Sequence, residues 1–216
     1  MEKDPWKEML DYLLKKLKSE EISESEHKQL KFCIHIDKLL EYLKVANRYL
    51  ENPLEIQEKV EQIYPFWTGY ENMYLIFYHY DTFANFLYAY KEAWANFLRE
   101  LYLINKAPHL KNVANSNQIK LVKQKTKSGQ TMRDLIDSFL DDSHIKRVES
   151  DRTDTVHIFG ENISKYKEIQ TQDWNKLIKK IQKPMQSATN ALLKFNNEIS
   201  QLICKETVSK KIEKKD

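Results

Sequence analysis

Residues 174–205 read WNKLIKKIQKPMQSATNALLKFNNEISQLICK. Trp174, Ile178, Ile181, Met185, Ala188, Leu192, Phe195, Ile199 and Leu202 follow one another at alternating steps of four and three. Side chains so spaced share one face of an α-helix, so the stretch predicts a single long helix with an apolar seam. Pro184 falls off the seam and is expected to kink this helix rather than end it.

The rest of the chain carries the same period. Asp4-Pro5 supplies a cap and a first-turn proline for a helix reaching about Lys18. The cap candidates in EEISESEH open a second helix, whose stripe of Leu30, Cys33, Ile34, Leu40, Leu43 and Leu50 runs to Asn52-Pro53. A short helix is expected from Leu54 to Tyr64, before Pro65. Gly69 then opens a stretch to about Lys106 that is apolar almost all round, with Met73, Phe77, Tyr80, Ala84 and Leu87 stepping by four and three. Aromatic residues at that spacing read as core, and this helix is expected to be the most buried. His79 within it reads as a hydrogen-bonded or interface histidine. A further helix is expected from Thr131 to Asp142.

Composition agrees. Three glycines and five prolines in 216 residues leave few turns, which disfavours a β protein. The fold expected is all-α: an antiparallel bundle of at least five helices ending in a long C-terminal one, forming one domain over 1–205, with a charged tail at 206–216. No run of 18 apolar residues exists, so no membrane-spanning helix is expected. The start, MEKDPWKEML, is polar and is not read as a signal peptide. Cys33 and Cys204 do not make a disulfide scaffold and suit a reducing cytoplasm.

Several chemistries lack their residues. There is no glycine-rich phosphate loop and no Cys-x-x-Cys pair, so neither a nucleotide cofactor nor a structural zinc is expected. Asp141, Asp142 and His144 read as a solvated helix end rather than metal ligands. Cys33 beside His35 reads as a buried thiol near a surface histidine.

Two stretches are candidates for function. Between Lys111 and Arg133 lie six basic residues and no acid. Within it Lys120, Lys123, Lys125 and Lys127 could track a phosphate backbone, the alternative being a merely solvated loop. The second stretch is DRTDTVHIFG at 151–160. Arg152 carries a permanent charge on a planar fork matched to phosphate oxygens, and His157 titrates near neutrality. Together these can serve RNA cleavage in which the 2′-hydroxyl attacks the adjacent phosphate. The competing reading is that both residues hold the segment before the last helix through caps or ion pairs.

Arg152, the polar Thr153, the aliphatic Val156 before His157, and Gly160 shortly after, late in an all-α chain, resemble the signature of the HEPN superfamily of small helical-bundle proteins. Thr153 stands where asparagine is commoner. The resemblance implies that Arg152 and His157 hold catalytic positions and Thr153 an auxiliary polar one. It implies a metal-independent endoribonuclease in toxin–antitoxin or antiphage-defence systems, with an antitoxin or nucleotidyltransferase as candidate partner. On one ideal helix Arg152 and His157 would lie about 140° apart, and one histidine cannot easily be acid and base in one step. A two-fold homodimer with both motifs at its interface resolves both points, and the resemblance implies such a dimer. The alternatives are a catalytically inactive HEPN-type module that binds RNA or protein, and a structural protein dimerising through the Trp174–Leu202 seam.

Overall fold

The computed structural model describes residues 5–51, 69–150 and 174–213, and these are helical apart from their connections. The elements are α1 (Pro5–Lys18), α2 (Glu24–Glu51), α3 (Gly69–Tyr102), α4 (Leu110–Ala114), α5 (Asn117–Lys120), α6 (Met132–Asp141), α7 (residues 143–150) and α8 (Trp174–Glu213). No strand occurs among the described residues, where the one β-type pairing is an isolated antiparallel bridge between Lys125 and Thr131. The chain is all-α, with a long C-terminal helix, and α8 continues through Pro184. The helix expected at Leu54–Tyr64 lies outside the described residues.

Local chemistry sets the helix ends. Ser23 Oγ accepts from Glu26 N–H at 3.3 Å while Glu26 Oε2 accepts from Ser23 N–H at 3.0 Å. This reciprocal box starts α2, and Lys16 reaches from α1 to the same carboxylate. At the end of α1, Glu21 N–H returns to Lys16 C=O at 3.1 Å with Glu20 at φ 57°, a left-handed closure made without glycine.

α3 ends in the same way, four residues earlier than its apolar pattern suggests. Leu103 takes φ 52°, and Ile104 N–H bonds Arg99 C=O at 3.0 Å. A leucine in that conformation costs about 1–2 kcal/mol. The turn nevertheless forms because it drives Ile104 and Ala107 into the interior while Leu103 itself stays 75% exposed. Burying an isoleucine is worth about 1.5–3 kcal/mol, enough to outweigh the strain.

The chain divides into two compact units. The first takes its described residues from Met1–Lys38, Ala89–Asp141 and Ala191–Asp216. Its core is an aromatic cluster. Trp94 lies 5.1 Å from Trp6 and 5.8 Å from Phe195, and Phe195 stacks on Phe139 at 4.2 Å and 15°. Tyr90 donates to Asn196 Oδ1 at 2.9 Å, and burial pushes its hydroxyl pKa far up, so the donor proton stays in place. Cys33 is also buried here, its thiol pushed up to about 12 chiefly by desolvation, and neither cysteine is in a disulfide.

The second unit takes its described residues from Leu39–Tyr88 and Asp142–Asn190. Leu43, Phe83, Leu87, Val148 and Met185 are fully buried in it. Tyr42 stacks on Phe86 at 5.1 Å. Burial lowers the pKa of the half-buried His79. Asp142 caps α7, its Oδ1 accepting from His144 N–H at 2.9 Å and Ile145 N–H at 3.1 Å. Capping is thus the role of this aspartate.

Two features of the expected core change. Ile34 is 37% exposed and Ile36 is buried in its place, because the buried face of α2 runs Leu30, Cys33, Ile36, Leu40, Leu43. Ile34, one turn after Leu30, falls at the edge of that face and away from Ile36 and Leu43. In α8, every described seam position (Met185, Ala188, Leu192, Phe195, Ile199 and Leu202) is buried within the single chain. The side chains of Trp174, Ile178 and Ile181, like that of Leu50 in α2, lie outside the described residues. From Met185 to Leu202 the seam is therefore internal packing.

Truncating Phe195 removes both its stack and its edge contact. Phe195→Ala is expected to cost about 3–5 kcal/mol in urea-induced unfolding. Leu193→Ala, on the exposed side of the same helix, should cost under about 1 kcal/mol. Equal effects would show that the aromatic cluster is not the core of this unit.

Candidate nucleic-acid interface

The lysine-bearing stretch is a helical excursion resting on α6. Leu110, Val113 and Ala114 of α4 and Ile119 of α5 are buried, as are Met132, Leu135, Ile136 and Phe139 of α6. α4 and α5 both pack against α6. Polar contacts trim the edges. Asn112 Oδ1 accepts from His109 N–H at 3.3 Å, and His109 Nδ1 sits 3.0 Å from Glu92 Oε1. Ser116 Oγ accepts from Ile119 N–H at 3.3 Å to start α5.

Beyond α5 the chain runs out and returns as a small hairpin. Lys125 bridges Thr131, and Thr126 N–H bonds Gln130 C=O at 2.9 Å. Gly129 N–H bonds Thr126 C=O at 3.0 Å with φ 84°, the glycine-closed geometry of a three-residue hairpin loop. Thr126 Oγ1 also accepts from Gln130 N–H at 3.0 Å. Thr131 and Asp134 then start α6 with a reciprocal box at 3.1 and 3.2 Å. The Thr131 hydroxyl and backbone N–H hold the Asp134 carboxyl below its ordinary pKa, so it stays ionised.

The six basic residues separate into two groups. Asp137 takes Lys111 Nζ at 2.9 Å and Arg133 Nε at 3.5 Å, so two of the charges share one carboxylate. Lys120, Lys123, Lys125 and Lys127 are all exposed. Among the described residues, neither Lys120 nor Lys123 is in an ion pair. From 122 to 127 exposure alternates: Val122 is buried, Gln124 and Thr126 are half-buried, and Lys123, Lys125 and Lys127 face solvent. Up to Thr126 that period of two belongs to an extended chain with one side down and the other in water, and Lys127 opens the turn that Gly129 N–H closes on Thr126 C=O. Leu121, beside these lysines, is 76% exposed.

The structure thus holds the four lysines together on one short stretch. Sequence reasoning missed Asp137, although the i,i+4 spacing from Arg133 carried a signal for that pair. The Glu92–His109 contact, by contrast, spans 17 residues and had no local signal. Arg152, Thr153 and His157 lie outside the described residues. Among the described helices none is long and apolar enough to cross a membrane. Compared with family models, curated proteins and solved structures, the chain gives no match.

If the exposed lysines contact phosphates, replacing all four by alanine should flatten the log–log salt dependence of RNA binding by up to about 0.7 per lysine for a single strand. Lys111→Ala with Arg133→Ala should change the slope less, because both cations already pair with Asp137. Unchanged RNA binding in the fourfold variant would reduce the stretch to a solvated loop.

Proposed function

We propose that this chain is a HEPN-like, metal-independent endoribonuclease acting as a homodimer in the cytoplasm. The observation that carries the reading is the motif Arg152-Thr153-x3-His157 in an all-α chain. The exposed lysines at 120–127 support it, since an RNA nuclease needs a place to hold the phosphate backbone.

In this reaction the 2′-hydroxyl oxygen attacks the adjacent phosphorus and loses its proton, and the bond to the 5′-oxygen breaks as that oxygen gains one. The products are a 2′,3′-cyclic phosphate and a 5′-hydroxyl. His157 moves the proton at one end. Arg152 places its fork on the phosphorane oxygens, where charge grows toward the transition state. Thr153 contributes an auxiliary hydrogen bond. The second copy supplies the other histidine, so that acid and base are different groups. In a toxin–antitoxin or defence setting, an antitoxin or nucleotidyltransferase would restrain the activity.

A second reading is an inactive RNA-binding module. It is favoured by Thr153 standing where asparagine is commoner, and by lysines that can bind without the motif. The reading as a structural dimer joined through the Trp174–Leu202 seam is less favoured, because the seam positions from Met185 to Leu202 are buried within the single chain.

His157→Ala should lower RNA cleavage by about 10²–10⁴-fold with RNA affinity and melting temperature unchanged. Arg152→Lys should also lose activity, since an ammonium keeps the charge but not the fork. Cleavage should persist in EDTA. A lowered melting temperature with no cleavage to lose would identify the pair as structural, and full activity in His157→Ala would defeat the assignment.

A further inference from the structure

The alternation at 122–126 carries more than a local excess of charge. In an extended chain, residues two apart stand on the same side about 6.5 Å from each other. That step is comparable to the separation of successive phosphates along a nucleic-acid strand. Lys123 and Lys125 occupy two consecutive positions of this kind, both exposed, and the exposed Lys127 follows as the first residue of the hairpin turn.

The support beneath them is firm. Val122 is only 6% exposed and anchors the start of the run. The far end is closed by the Lys125–Thr131 bridge and by Gly129 N–H on Thr126 C=O at 3.0 Å. Gly129 has nothing within 4 Å of the place a Cβ would occupy, so its requirement is conformational: φ 84° closes the loop. A lysine on a backbone fixed at both ends loses only side-chain freedom on binding, which favours a definite register over diffuse attraction.

We propose that Lys123 and Lys125 form a rail that follows successive phosphates of one nucleic-acid strand, blind to base and sugar. Ammonium groups on phosphate oxygens carry no sequence information. The rail touches neither the 2′-hydroxyl nor the base edges, so RNA and DNA strands should bind alike. Selection for RNA then arises only at the cleavage step, through the attacking 2′-hydroxyl. The proposal rests on the nucleic-acid reading of this surface, and it gives that reading a substrate class: a single strand of either sugar, held through its backbone.

The test separates register from net charge. The double variant Gln124→Lys/Lys125→Gln keeps the charge and moves one ammonium to the half-buried side of the run. Binding is measured by fluorescence anisotropy in EDTA on the His157→Ala background, with short single-stranded RNA and DNA of the same base sequence over a salt series. Relative to its parent, the swap should lose about 0.7 of log–log slope, as much as Lys123→Gln does alone. RNA and DNA should bind with closely similar affinity, and phosphatidylserine vesicles should not compete. Three results would each overturn the rail: parental binding in the swap whatever Lys123→Gln does, a strong preference for RNA over DNA, or displacement by the vesicles. Absence of any nucleic-acid binding would overturn it as well. Because the assay reads binding alone, a rail that stands without cleavage retires the nuclease reading, and cleavage indifferent to both variants retires the rail.

Discussion

The stack of Phe139 on Phe195, 4.2 Å between ring centres, is the contact on which the candidate interface depends. It fixes α6 to α8, and α6 is the floor on which α4, α5 and the lysine hairpin rest. Trp94 meets the same Phe195 edge-on, and Tyr90 ties the next residue, Asn196, through a buried hydrogen bond. An aromatic pair adds about 0.5–1.5 kcal/mol beyond the burial of its rings. An exposed ion pair such as Lys111–Asp137 adds about 0–1 kcal/mol. Apolar packing therefore positions the lysines, and the ion pairs only trim the edge. Contact of Lys120 or Lys123 with phosphate therefore need not loosen what holds the stretch.

Much of this fold was legible in the sequence because its helices are long and their apolar faces regular. The steps of four and three from Met185 to Leu202 mark residues that are all buried. The same holds for Tyr80, Ala84 and Leu87. The failures have local causes. Ile34 and Ile36 both fit the spacing set by Leu30, Cys33 and Leu40, and only the buried Leu39, Leu43 and Ala46 bring the centre of the face round to Ile36. The end of α3 was obscured because Leu103 takes a conformation usually left to glycine, and the burial that compensates for it comes from Ile104 and Ala107.

The interface was legible by charge but not by shape. A count of basic residues between 111 and 133 treats all six alike. The carboxylate of Asp137 lies just outside that window and pairs with two of them. The strand-like alternation at 122–126 is too short to stand out in an otherwise helical chain, and it depends on Val122 being held down by its surroundings. Arg152, Thr153 and His157 are legible only as a motif, through the chemistry that an arginine fork and a neutral-range base can share.

Binding and chemistry are accordingly assigned to different stretches, 120–127 for the backbone and 152–157 for the reacting phosphate. Grip through phosphates is indifferent to the sugar, whereas attack by a 2′-hydroxyl cannot occur without ribose. The ends left on a cut strand report this division most directly. Mass spectrometry of RNA cleaved by the purified protein in EDTA should find 2′,3′-cyclic phosphates paired with 5′-hydroxyls. Fragments bearing 5′-phosphates and 3′-hydroxyls, or RNA left intact, would contradict the account.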